Sequence, residues 1–309
     1  MRSGPHSARP RAAGALLVLA CLLALLLAAP ASAAASARLH PNAAGEGEVA
    51  RVARYWTPAR MRSALPLDQP RGELPLALPS FAQVAEPTVP PHPVNGRLFV
   101  RQGNKRGYCS ATAIDTPSRK LVLTAAHCVN SGPQFPNGRS VWSSFLQFVP
   151  AYSGATAPFG AFIAHRRSVF ALRQWVEFGN PNFDVGAVVM GPNAEGLDVA
   201  DAVGGGAAIA TDLSRRQDFQ TFGYPGRIRW MQGCDSPYVG DDATTYRIPG
   251  PPTIAIRCHW APGASGGGWL IEGGTAINGL TSYGKPKDRL HTFSPYFSKR
   301  NVGRLTAGL

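Results

Sequence analysis

From about Val94 onward the chain is written in short apolar runs. GRLFV, SATAID, KLVLTAA, GAFIAHR, DVGAVVM, FQTFGYPG, IAIRC, GGWLIEGG and INGLTSYG follow one another, separated by Gly, Pro, Asn and Asp. Runs of this length, rich in Val, Ile, Phe and Thr and bounded by turn formers, read as strands. Thirty-four glycines and 28 prolines suit many turns better than long helices. Only the last dozen residues and SVFALRQWVE carry a helical pattern. With 44% hydrophobic residues, the 216 residues of 94–309 can bury a large core, and closely spaced short strands predict a β-barrel or sandwich assembly.

The residues before Val94 have a different texture. Arg2, Arg9 and Arg11 precede the uncharged run ALLVLACLLALLLAA, after which Ala-Ser-Ala occurs at 31–33 and again at 35–37. A positive start, a short apolar centre and small residues at a cleavage site predict a signal peptide over 1–37, hence export with no membrane anchor after its removal. Residues 38–93 are proline-rich, with little alternation and one helical piece around Val49–Ser63, and read as a prosegment or extended linker. Export gives the cysteines a meaning. Without Cys21, which lies in the apolar run, Cys109, Cys128, Cys234 and Cys258 remain. An even number in an oxidising compartment predicts two disulfides, with three connectivities open. No Cys-x-x-Cys or His-x-x-x-His spacing is present, so neither a metal nor a cofactor is expected.

The formal charge of +13 raises the possibility of a polyanion partner. Residues 1–92 hold nine Arg against five acids, leaving 22 Lys/Arg against 13 Asp/Glu in the remainder. These charges are scattered, and pairs such as Arg166-Arg167 and Arg215-Arg216 lie in polar stretches. The pattern predicts a solvated basic surface and no nucleic-acid groove.

HWAPGASGGGWL sets Ser265 between glycines. Such a turn bends tightly and gathers backbone N–H groups beside the hydroxyl, the arrangement that stabilises a tetrahedral oxyanion. Gly-x-Ser-x-Gly also fits the nucleophile elbow of α/β-hydrolases, whose acid and histidine follow the serine. Only 44 residues follow Ser265, and they contain His291 alone, too little chain for that fold. A nucleophilic Ser265 therefore needs a base and an orienting acid upstream. His127, closing the apolar run LVLTAAHC, is the leading base. His6, His40 and His92 fall in the N-terminal segments, His165 stands beside two arginines, and His259 is very near Ser265 in sequence. Asp184, at the mouth of the apolar run VGAVVM, is the leading acid because a buried carboxylate requires a partner. Asp198, Asp201 and Asp212 are its rivals.

With LTAAHC, FDVGAVV and GASGG in the order His, Asp, Ser, residues 94–309 resemble the trypsin/chymotrypsin-like serine peptidases. FGYPG at 222–226 resembles their secreted bacterial, glutamyl-endopeptidase-like branch in particular. The resemblance implies an all-β fold of two packed six-stranded antiparallel barrels with a short C-terminal helix. It implies His127 as general base, Asp184 as its orienter and Ser265 as nucleophile, with oxyanion N–H groups from Gly263 and Ser265. In GLTSYG, Ser282 and Gly284 would line the bound substrate strand, with His259 in the pocket. It also implies a Cys109–Cys128 disulfide beside the histidine, and Cys234–Cys258 is expected with it. Three positions depart from the family pattern. Ala264 replaces the aspartate that receives a freed N-terminus in animal members, His259 stands where trypsin-type enzymes place a pocket aspartate, and Thr281 stands where the glutamyl branch keeps a histidine. Protein or peptide substrates and a monomeric state are the expectation. A catalytically silent binder of peptides or cell-wall polymers, or an esterase on the same scaffold, is the alternative.

Overall fold

A computed structural model of the protein describes Met1 and residues 38–40, 46–68, 81–133, 137–154 and 156–309; the side chains of 38–40, Glu46 and 165–167 are outside the description. The predicted signal peptide, Met1 apart, lies outside the described residues. From Arg38 on they belong to one compact unit, Ser36–Leu309.

The chain enters with β1 (Arg38–His40), α1 (Glu46–Tyr55), α2 (Pro58–Ser63), β2 (Leu65–Pro66) and β3 (Ala82–Gln83). The expected helical piece at 49–63 is thus two helices. Thr57 ends the first by capping the second: its Oγ1 accepts from Arg60 N, and Pro58 takes the first helical position, where no N–H is needed. The described part of this segment is docked. Val52, Trp56 and Leu67 are buried, and Trp56 Nε1 donates to Phe145 O at 2.6 Å. Apolar side chains spaced along an otherwise basic stretch are what dock it.

The first barrel comprises β4 (Asn95–Gln102), β5 (Lys105–Ala113), β6 (Leu121–Thr124), β7 (Ser143–Pro150), β8 (Phe162–Ala171) and β9 (Gly186–Met190). Neighbours pair antiparallel in the order β8-β7-β4-β5-β6-β9, and a β8–β9 pairing closes the ring. β6 is buried along its whole length, which is why LVLT reads as a continuous apolar run rather than an alternation. Three short helices lie on the connections: α3 (Ala126–Val129), α4 (Arg173–Phe178) and α5 (Val199–Ala202). The expected helix SVFALRQWVE is half right. Its first four residues extend β8, and α4 starts at Arg173.

The second sheet comprises β10 (Ala208–Ile209), β11 (Asp218–Gly223), β12 (Gln232–Asp241), β13 (Ile254–Ile256), β14 (Gly268–Ile271), β15 (Ala276–Leu280) and β16 (Thr292–Ser294). Its antiparallel path is β15-β14-β11-β12-β13-β16, with β10 added parallel to β15 and β3 added to β12. The chain beyond β15 returns to β16 through a Tyr283–Phe293 bridge and the bond from Ser282 N to Phe293 O, 2.9 Å. Aromatic and aliphatic residues including Phe219, Ile254, Ile256, Trp260, Trp269 and Ile271 fill its core. The expected C-terminal helix is α6 (Val302–Thr306). Among the described residues no helix is long and apolar enough to cross a membrane.

Candidate active site

β6 runs into α3, a single helical turn that carries His127. Two features fix this turn. Cys128 is bonded to Cys109 on β5, and Gly186 at the start of β9 packs so closely that a Cβ there would stand 2.8 Å from Val129 Cγ2 and 3.1 Å from Ala125 O. Only glycine lets the two meet, and the close approach brings Asp184, two residues earlier, beside the histidine.

Asp184 is 2% exposed and is held by three donors. Oδ1 accepts from His127 N at 2.8 Å, while Oδ2 lies 2.8 Å from His127 Nδ1 and accepts from Ser282 Oγ at 2.5 Å. With Nδ1 bonded to the carboxylate, Nε2 is the ring atom left to face the cleft. The rival acids are elsewhere. Asp201 pairs with Arg119, Asp198 lies 3.9 Å from Lys120, and Asp212 accepts from Lys299 N. Ser282, expected to line the substrate strand, also bonds the Asp184 carboxylate.

Ser265 occupies the turn between Trp260 and β14. Gly263 has φ +96°, and a Cβ on it would stand 2.7 Å from Tyr224 O and 2.8 Å from the Tyr108 ring, so the turn requires glycine. Ser110 of β5 pins this turn across the two barrels. Its N–H donates to Ser265 O at 2.8 Å, its Oγ donates to Gly263 O at 2.9 Å, and Tyr224 N donates to that same Oγ at 2.9 Å. Adjacent residues of β5 thus hold both halves of the site, Cys109 the histidine turn and Ser110 the serine turn. Sequence reasoning missed Ser110, because a serine in a strand carries no signal of a contact 155 residues away.

His127, Ser265, Ser282, Gly284 and His259 line one cleft of about 630 Å³. Asp184 lies behind it and lines the adjoining cavity with Trp175, Asp242, Tyr283 and Lys285. His259 is partly exposed with Nδ1 buried and unpartnered, and burial leads in lowering its pKa, with Arg289 adding to this against Asp288. For His127, burial is the largest influence and opposes the charged form. The Asp184 charge and hydrogen bond outweigh it, Asp68 adds to them, and the pKa is raised to about 8. The ligand-type groups that gather here, Cys109, His127 and Cys128, include both sulfurs of a disulfide and so offer no thiolate to a metal. The second disulfide, Cys234–Cys258, joins β12 to the second residue past the end of β13.

One member of the site was not foreseen at all. Asp68, from the N-terminal segment, accepts from Ser265 Oγ at 2.6 Å and from Gly263 N at 2.8 Å. No motif marks LPLD as a partner of the serine turn.

No protein-family model matches the sequence, and no curated protein matches it. Solved structures do. The protease Anisep from Arthrobacter nicotinovorans is 27% identical with a TM-score of 0.58, over 67% of this chain and 90% of that one. A thermostable serine protease, AL20, from an extremophilic microorganism is 25% identical with a TM-score of 0.60, over 70% of this chain and 96% of that one. A Glu endopeptidase, 16% identical with a TM-score of 0.58 over 74% and 95%, shares the fold. The chain has the chymotrypsin-like serine-protease fold.

Proposed function

We propose that the protein is a secreted serine endopeptidase acting through His127, Asp184 and Ser265. The observation that carries this reading is the bond between His127 Nδ1 and Asp184 Oδ2 in a site whose cleft holds Ser265. It fixes the tautomer in which Nε2 can take a proton. Ser265 Oγ attacks the substrate carbonyl carbon while its proton passes to Nε2. Gly263 N–H and Ser265 N–H stabilise the oxyanion, and the imidazolium protonates the leaving amine as the C–N bond breaks. Water, activated by the same imidazole, then releases the acyl group as a carboxylic acid. The protease neighbours favour peptides as substrates, and two disulfides fit an oxidising destination.

Ser265→Ala should abolish hydrolysis of a casein-type substrate by the secreted chain and end labelling by a fluorophosphonate, with folding unchanged. Substantial hydrolysis remaining would remove Ser265 from its role. Labelling of the wild type without any peptide hydrolysis would favour the esterase, and no reaction of either kind the silent binder.

A further inference from the structure

The N-terminal segment delivers Asp68 to the nucleophile by strand pairing. Leu65 and Pro66 pair parallel with Gly107 and Tyr108 of β5, and Leu67 N donates to Tyr108 O at 3.0 Å. Leu67 is buried, and with Asp68 it lines the catalytic cleft. The Asp68 carboxylate then bridges two groups that peptide hydrolysis needs free. Oδ2 accepts the Ser265 hydroxyl proton at 2.6 Å, and Oδ1 takes the Gly263 N–H at 2.8 Å. His127 Nε2 is buried and has no hydrogen-bond partner among the described residues. The nucleophile is thus bonded to a carboxylate in place of its base.

The product of peptide hydrolysis is itself a carboxylate, with one oxygen in the place of the oxyanion. Asp68 reproduces that group from inside the chain. We propose that residues 46–68 are an internal inhibitor, with Asp68 a product-like latch that holds the full-length chain inactive. The proposal rests on the reading of Ser265 as nucleophile and concerns the control of that same site. Two further observations support it. The segment is fastened by the buried Val52 and Trp56, neither of which lines the cleft, so the carboxylate is presented by a docked element. The negative charge of Asp68 also favours the charged imidazole, helping to raise the His127 pKa after the larger influences of burial, which opposes, and of Asp184. An imidazolium cannot accept the serine proton, so the latch acts on base and nucleophile together.

The test compares full-length wild type, Asp68→Asn, Asp68→Ala and Trp56→Ala by the rate of fluorophosphonate labelling at Ser265 and by peptide hydrolysis, with circular dichroism reporting folding. Asp68→Asn is nearly isosteric, and Trp56→Ala loosens the segment without touching the cleft. Labelling should speed up in the Asp68 variants by roughly tenfold to a hundredfold, the worth of one hydrogen bond to a charged group. Trp56→Ala should move in the same direction. Labelling of folded Asp68→Asn at the wild-type rate would overturn the latch and leave the peptidase reading standing. Absence of labelling in every variant would overturn that reading and the latch with it. Faster labelling with no peptide cleaved by any variant would support the latch and remove the peptidase.

Discussion

Asp184 accepts from the backbone amide and Nδ1 of His127 and from Ser282 Oγ; an amide in its place could satisfy some of these donors but not all. Asp184→Asn should keep the fold and lose on the order of 10⁴ in turnover near neutral pH, because the amide favours the wrong histidine tautomer. Retention of most activity in a steady-state assay would remove Asp184 from the mechanism. The same geometry gives the pH dependence. His127 must be neutral to accept a proton, and its pKa is raised from 6.5 to about 8, so activity should fall as pH drops through a midpoint above 6.5. In Asp68→Asn one of the charges that raises it is gone, and the acid limb of kcat/KM should move to lower pH; an unmoved limb would contradict that electrostatic contact. At this scale the sequence was informative wherever chemistry demands a motif. His127, Asp184 and Ser265 could be picked out because each closes or opens an apolar run or sits among glycines. Ser110 and Asp68 could not, since their roles arise from the meeting of distant segments and neither has a local pattern.

Among the elements, β12 and β16 went unread for different reasons. β12 (QGCDSPYVGD) holds Gly, Pro and Asp, and its first six residues alternate between more buried and more exposed; the turn formers hid the period. β16 has three residues, too few for any period. Among the runs that did read as strands, β6 and β14 are buried on both faces, where burial forces continuous apolar composition. Beyond the end of β12, Asp242 ties the cleft wall together. It accepts from Thr244 N and Oγ1 and from Tyr283 OH at 2.7 Å, and pairs with Lys285 at 2.7 Å. Burial alone would raise its pKa, but these bonds prevail and lower it from 3.8 to about 2. A group whose pKa is depressed by folding contributes stability that is present above its unfolded value and lost as pH falls towards the folded one. Asp242 should therefore contribute roughly 2 kcal/mol above pH 4, at about 1.4 kcal/mol per pKa unit, fading between about pH 4 and 2. Urea unfolding of Asp242→Asn across that window should show a flatter pH dependence than the wild type, and identical slopes would rule the contribution out.

Across the whole molecule, neither disulfide joins the two sheets: Cys109–Cys128 ties β5 to α3, and Cys234–Cys258 ties β12 to the stretch after β13. They close stretches with separations of 19 and 24 residues, each worth about 3 kcal/mol by chain-entropy arithmetic. What joins the sheets at the cleft is non-covalent, through Ser110 and the serine turn. The N-terminal segment is likewise held by contacts. On the other side of residues 69–80, Phe81 is stacked on Trp260 with ring centroids 4.1 Å apart, and β3 pairs with β12. A peptide-bond cut between 68 and 81 would therefore leave Phe81 with the body and turn residues 46–68 into a separate ligand. While the chain is whole, that ligand is present at a fixed high effective concentration and its occupancy ignores how much protein is in the tube. Once cut, its occupancy follows mass action. Specific activity of the nicked protein should then rise on dilution towards a plateau, and added peptide spanning 46–68 should reverse the rise; the uncut chain should show neither effect. Activity independent of dilution in both forms would mean that the segment does not restrain the site. Cutting alone, on this account, does not switch the molecule on: release does, and release is governed by how thinly the cut protein is spread.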